Sequence, residues 1–410
     1  MNKKAFYTLS LVIFTSAMGN NIIAPFIAVY ATTMGANAFW LGVMFSGVSL
    51  TSAVLAPVSG WLCDHYSRKL LMIIGLVLFT LLSLSYILAT NFYTLTLVRI
   101  LMGVSGVLVM PVAQAYVSEL TPKGKEATYM NIFMMFLYLG MGFGPFLGGT
   151  LNDLYGMNSA FYSMAALAFI ALILLIVFVP DLEPQSGNKQ KASLSSMIAV
   201  SRDNLIKASN LQVCSRAILR QGVTSFLPLY AVKILGMDTM TIGIVLSIYI
   251  FIEAISQGFM GPIADRTNKK ILLVSGTLIA GILSFFLENM TTALTLTSLL
   301  VPIAILTSLS RAAALAYYVD AGRRFNSQGA SSGVFNTFQS FGYGVGPILF
   351  GFVTDNFGIQ SMFLTGGVVG VIVVPFMVIY LLARQPEEPV IESVEAEPSK
   401  DTPENHQRRN

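Results

Sequence analysis

The feature that most constrains this chain is that it is written twice. The decapeptide Gly60-Trp61-Leu62-Cys63-Asp64-His65-Tyr66-Ser67-Arg68-Lys69 returns as Gly261-Pro262-Ile263-Ala264-Asp265-Arg266-Thr267-Asn268-Lys269-Lys270, an offset of 201 residues. A second pattern, Gly142-Phe143-Gly144-Pro145-Phe146-Leu147-Gly148, returns as Gly344-Val345-Gly346-Pro347-Ile348-Leu349-Phe350 at an offset of 202. With one set of motifs in each half of its 410 residues, the chain is expected to fold as two parallel copies of one unit.

Composition decides the solvent. Hydrophobic residues make up 55% of the chain and charged residues 11%, with a mean hydropathy of +0.71. A soluble domain carries about a quarter charged residues, so this chain cannot cover itself with a water-facing surface. Long apolar stretches between short polar breaks predict helices that cross a membrane, each needing roughly 20 residues. The apolar–polar alternation of spanning strands is missing.

Twelve spans fit: 5–30, 39–62, 70–89, 94–117, 127–150, 159–179, 209–233, 239–261, 271–288, 292–318, 328–352 and 360–383. An even number puts both termini on one side. Nineteen of the 24 Lys and Arg residues fall in the N-terminus, the even-to-odd loops, the 180–208 segment or the tail, which marks that side as cytoplasmic. The expected fold class is an all-α integral membrane protein, with twelve transmembrane helices in two six-helix bundles, 1–179 and 209–383. A cytoplasmic linker at 180–208 contains a short surface helix. Residues 384–410, rich in Glu and Pro, read as a disordered cytoplasmic tail.

Other classes are excluded or disfavoured by what remains. The net charge of +4 is dispersed among loops and gives no nucleic-acid surface. Cys63 and Cys214 fall at expected cytoplasmic helix ends, where neither a disulfide nor a metal site is expected. Lys3 and Lys4 precede an apolar run longer than a signal peptide's core, which reads as a retained first helix. There is no G-x-x-x-x-G-K-[ST] phosphate cradle, no G-x-S-x-G nucleophile elbow and no His/Cys/carboxylate cluster. The expectation is a multi-pass protein of the cell membrane, without enzyme chemistry, cofactor or metal.

The loop motif carries a resemblance. Gly60, Leu62, Asp64, Arg68 and Lys69 match G-x-L-x-D-x-x-x-R-K, and Gly261, Asp265 and Lys269 repeat it. This resembles the major facilitator superfamily over nearly all of residues 5–383. A small residue at Gly60 allows close helix approach, and a carboxylate at a helix end can accept from a neighbouring helix N-terminus or pair with Arg68. The resemblance implies that the cluster holds the two halves together on the cytoplasmic side. In helix 5, Gly140, Gly144, Pro145, Gly148 and Gly149 resemble the glycine–proline motif of the drug:proton antiporter branch. The resemblance implies a face packed against the opposite half, resisting leakage on the outer side. Generic small-residue packing is the plainer alternative.

Charges inside spans are expensive, and each marks a functional hypothesis. Glu253 is the only carboxylate well inside a span, about 12 Å from the cytoplasmic end by helical rise. Arg216 and Arg220, four apart on helix 7, share a face. With Arg311 they suggest an ionic cluster around Glu253. That cluster is either a proton-coupling site, with Glu253, Arg220 and Arg99 as candidates, or a static lock between helices. Arg99 with Gly103 resembles the family's helix-4 motif, with Met102 in place of glutamine; it is either a snorkelling interface arginine or a buried cation. Helix 1 carries Asn20 and Asn21 where drug antiporters often place a carboxylate. Together with Gln114, Gln221, Asn336 and Gln339 they offer neutral hydrogen bonding to a cavity or between helices.

The function expected from the resemblance is proton-coupled export of small amphipathic, drug-like molecules, by a monomer in contact with lipid and driven by the proton gradient. The rival is a carrier of one metabolite, such as a sugar or siderophore. A non-transporting sensor or intramembrane enzyme lacks an output domain or catalytic constellation.

Overall fold

A computed structural model describes residues 3–122, 126–181, 194–325 and 327–383. The side chains of Asp64 and Asp265 lie outside the described residues, as do residues 182–193 of the expected linker and the expected tail 384–410.

The chain is helical throughout its described length. The first half contains α1 (Lys3–Ile23), α2 (Ile27–Thr33), α3 (Ala38–His65), α4 (Arg68–Ser85), α5 (Phe92–Leu120), α6 (Glu126–Tyr155) and α7 (Met157–Phe178). The short helix expected between the halves is α8 (Leu194–Arg202). Then follow α9 (Asn204–Lys233), α10 (Thr239–Arg266), α11 (Lys269–Phe285), a 3-10 turn Phe286–Asn289, α12 (Ala293–Arg324), α13 (Gln328–Phe357) and α14 (Ser361–Leu382). The first expected span is broken in two near Pro25, whose missing N–H cannot continue the ladder.

The helix starts obey the repeat. Asn37 and Asp238 cap α3 and α10; Ser67 and Asn268 cap α4 and α11. Asn91 with Thr94, and Thr292 with Thr295, form capping boxes on α5 and α12. Each pair is 201 residues apart and supplies an acceptor to an N–H that the helix itself leaves free. The turns before α7 and α14 pass through Gly156 and Gly358 at φ 78° and 88°, a region that side chains with a Cβ rarely enter.

Ten helical segments among the described residues are long and apolar enough to cross a membrane. Their outward faces carry exposed Ile74 and Leu81 on α4, Phe169 and Ile173 on α7, Ile271 and Ile279 on α11, and Ile372 and Phe376 on α14. Contiguous apolar exposure of this kind fits lipid, not water. The two long helices outside that set are α9 and α13, which carry much of the polar lining described below. α9 is buried along most of its length among α12, α13 and α14, so its polar groups face neighbours instead of lipid.

In the first half α1 packs on α6 and α7, α3 on α5, and α4 on α5 and α7. In the second, α9 packs on α13 and α14, α10 on α12, and α11 on α12 and α14. Among the described residues two extensive seams join the halves, α3 with α13 and α6 with α10, beside a smaller contact of α2 with α9. Each seam is the image of the other under the repeat.

Candidate functional site: a cavity between the halves

Both seams are tight at the end bearing the α3 and α10 N-termini, here the far end. A Cβ added at Gly42 would lie 2.4 Å from the Pro347 carbonyl oxygen, and one at Gly243 would lie 2.3 Å from that of Pro145. These approaches require glycine. Beside them, Asp355 accepts hydrogen bonds from the N–H groups of Ala38 and Phe39, each at 2.8 Å. Asp153 accepts from Thr239 N at 3.2 Å and Met240 N at 2.6 Å, and from the Thr239 hydroxyl. Each carboxylate thus sits on the N-terminus of a helix from the opposite half, where free N–H groups and the helix dipole favour an anion. Neighbouring Asp238, in the loop before α10, is held below the usual carboxylate range chiefly by its hydrogen bond with the Thr241 side chain.

At the other end, which bears the duplicated loop motif, the halves stand apart. Among the described residues nothing lies within 4 Å of where a Cβ would be at Gly60, Gly258 or Gly261, and Val54, Trp61 and Phe259 are exposed. The close helix approach expected at Gly60 and Gly261 is therefore not made in this conformation; the tight glycines are at the far end. The described cations of the motif act within their own half. Arg68 pairs with Glu119, and Lys69 donates to the Ile176 carbonyl at 2.9 Å. Lys269 pairs with Asp320 at 3.0 Å, and Lys270 donates to the Leu381 carbonyl at 2.9 Å. The motif ties the start of α4 or α11 to the ends of two neighbouring helices.

The helix-5 glycines, now on α6, also divide differently from the expectation. A Cβ at Gly140, Gly144 or Gly148 would strike Phe14, Asn21 and Ile22 of α1, in the same half. Gly149 does meet the opposite half, at the Thr239 carbonyl of α10, and Gly142 meets Phe251 there. Residues four apart share a helix face, so the regular glycine row can serve only one neighbour. The two off-register glycines serve the other.

Between the tight seams and the open end lies a cavity of about 470 Å³. A second space of about 560 Å³, mostly within the first half, shares with it the lining residues Asn20, Asn21, Gln114 and Asn336. All eleven of the candidates on α1, α5, α9, α10, α12 and α13 line the first cavity: Asn20 and Asn21, Arg99 and Gln114, Arg216, Arg220 and Gln221, Glu253, Arg311, and Asn336 and Gln339. Glu253 is 2% exposed, and its two oxygens are taken by Arg216 and by Arg220 Nε, the latter at 2.7 Å. Arg311 stands outside that ion pair. It bonds Gln257 and donates to the Tyr138 hydroxyl of α6 at 3.3 Å, so it bridges the halves. Arg99 is 5% exposed and lies 5.7 Å from the centre of the Phe45 ring. It is a buried cation and not a snorkelling one. Gln339 and Gln221 make only long contacts, to Tyr343 at 3.5 Å and Ser225 at 3.4 Å.

Sequence reasoning missed Tyr138, Phe335 and Tyr343 of the cavity, which lie among apolar neighbours and carry no charge to mark them. It also missed Asp153 and Asp355. These had a signal: each follows the helical proline of the repeated motif by eight residues.

A family model for the Major Facilitator Superfamily matches residues 9–342 and 211–409, and the chain belongs to that family. It is 27% identical over 90% of its length to an uncharacterized MFS-type transporter of Methanocaldococcus jannaschii, covering 96% of that protein. It is 28% identical to the multi-drug resistance efflux pump PmrA of Streptococcus pneumoniae, over 64% of this chain and 67% of the pump. Among solved structures, a bacterial homologue of the human lysosomal transporter Spinster, inward-facing and occupied, superposes with a TM-score of 0.76. That match has 15% identity and covers 92% of this chain and 94% of the other. This is a membrane transporter.

Proposed function

We propose that this chain exports small amphipathic, drug-like molecules by alternating access, in exchange for protons. In this reading twelve helices, counting α1 and α2 as one, span the membrane as two six-helix bundles, 1–179 and 209–383, joined through 180–208. Both termini are cytoplasmic, and the protein works as a monomer in the cell membrane. The observation that carries the reading is one cavity shared by both halves, sealed by the far-end seams and open at the motif end. That is the form of an inward-facing carrier ready to load from the cytoplasm. The likeness to PmrA and the α6 glycine–proline row support export of drug-like compounds. A proton gradient is the proposed energy source; the proton site is assigned to the Glu253–Arg216–Arg220 group.

The amide-rich lining favours a second reading, a carrier of one polar metabolite such as a sugar or siderophore. The test is expression in an efflux-deficient host, with a panel of unrelated compounds and accumulation measured with and without a protonophore. Raised resistance to several compounds that collapses with the protonophore is expected. Protection against none, with uptake or release of a single metabolite, would replace the first reading by the second.

A further inference from the structure

Charge in the cavity is unbalanced. Its lining contains four arginines, Arg99, Arg216, Arg220 and Arg311, against one carboxylate, Glu253, which leaves three positive charges in excess. Arg216 and Arg220 share Glu253, but among the described residues neither Arg99 nor Arg311 is in salt-bridge contact with a carboxylate. Their nitrogens are also under-used: Nε and Nη1 of Arg99 and Nε of Arg311 are buried and make no hydrogen bond among the described residues, although the Tyr86 hydroxyl stands beside Arg99. Burying an ion without its counter-charge costs several kcal/mol, and burying a donor without an acceptor adds to that. A guanidinium fork matches a carboxylate or sulfonate in shape and charge. Phe45 lies by Arg99 and Phe335 by Arg311, the latter 5.8 Å from its ring centre, so apolar surface flanks both cations. The volume is that of a small-ligand pocket.

We infer that the cavity takes a small organic anion, an aromatic carboxylate or sulfonate whose acidic group is held by Arg311, while Arg99, about 16 Å nearer the far end by helical rise, adds to the positive field. This rests on the transport reading above and specifies its substrate class. It also excludes cationic dyes as preferred cargo, because among the described residues nothing lining the cavity offers them a free carboxylate.

The test uses the purified full chain in detergent, with empty micelles as blank, and two probes sharing one skeleton. 8-Anilinonaphthalene-1-sulfonate carries the anion; N-phenyl-1-naphthylamine lacks it. Equilibrium dialysis should show the sulfonate binding at least tenfold more tightly. Arg311→Gln should weaken it about tenfold, the scale of one lost charge-assisted bond, and Arg99→Gln by less, without changing the neutral probe. Arg99→Lys and Arg311→Lys should restore much of the loss, and thermal unfolding checks that each variant is folded. 1-Naphthoate should displace the sulfonate at lower concentration than dioctanoyl phosphatidylglycerol; the reverse order would assign the site to a lipid headgroup and overturn the proposal. Equal binding of both probes, or sulfonate binding indifferent to both Gln variants, would also overturn it. Vesicle export of the two probes separates this from the transport reading. Neutral-probe export without anion binding defeats only the anion site, whereas anion binding without any export defeats only the exporter.

Discussion

Asp153 and Asp355 should hold the far end shut, and removing their charge should open it. In Asp153→Asn one oxygen remains for two backbone N–H groups, and the new amide turns a donor toward donors. Asp153 accepts from Thr239 N and Met240 N, and Asp355 from Ala38 N and Phe39 N, so each substitution loses one bond to a charged acceptor. Such bonds contribute about 1.5–3 kcal/mol, and interaction with the helix dipole about 0.3–1 kcal/mol more. The bonds cross between halves, so they exist only while the far end is closed. A single substitution should therefore move the equilibrium between the two openings by about twentyfold to nearly a thousandfold. The two aspartates sit on different seams, and the double variant should shift it by roughly the product.

Distances across the far end measure this directly. Leu88 and Leu294, each 79% exposed and in opposite halves, accept spin labels once Cys63 and Cys214 are replaced by serine. Electron–electron double resonance on Asp153→Asn, Asp355→Asn and the double variant should show a growing population at longer separation. Wild-type distance distributions in the double variant, with wild-type export, would refute the latch.

Other outcomes follow from the same contacts. Glu253→Gln should leave two buried guanidinium groups without a counter-charge and lower stability by about 3–5 kcal/mol, partly recovered by Arg216→Gln in the same chain; thermal unfolding measures both. If Glu253 also couples protons, the variant should bind substrate yet fail to concentrate it under an imposed pH gradient. The buried Arg68–Glu119 pair and the more exposed Lys269–Asp320 pair are equivalents, so Arg68→Gln should cost several times more stability than Lys269→Gln, about 3–5 against at most about 1 kcal/mol. Gly144→Val, against α1 of its own half, should reduce folded yield, while Gly243→Val, against the Pro145 carbonyl of the other half, should leave yield nearer normal and open the far end in the distance assay.

Much of the architecture was legible because the signals are local. Span length and the helix caps each depend on residues near one another in the chain, and the motif offset needs only the chain compared with itself. The buried charges were legible too, since an arginine in an apolar run has few places to go. The glycine row at Gly140, Gly144 and Gly148 was read against the wrong partner. A small face shows that something comes close, and α1 and α10 are equally far away in sequence. The same limit hid the partners of Arg311: reach along helices suggested Glu253, whereas packing puts Gln257 and Tyr138 beside its guanidinium. The open motif end was invisible for a different reason. A motif read within each half says nothing of the distance between the halves.

The repeat also separates the seams from the cavity. Seam and gate residues come in pairs at 201 or 202: Gly42 with Gly243, Pro145 with Pro347, Asp153 with Asp355, Arg68 with Lys269, Glu119 with Asp320. The cavity charges do not. At the same offset of 201, Arg216, Arg220, Glu253 and Arg311 correspond to Thr15, Gly19, Ser52 and Met110, and Arg99 to Leu300. Two halves that rock against each other need matched interfaces, since unequal seams would favour one tilt. A single small molecule between them has no two-fold symmetry and is better held by groups that lack it. Divergence at the cavity with retention at the seams is what those two demands produce together. Under the proposed function the charge excess belongs to the substrate site, because nothing in the shared scaffold requires it.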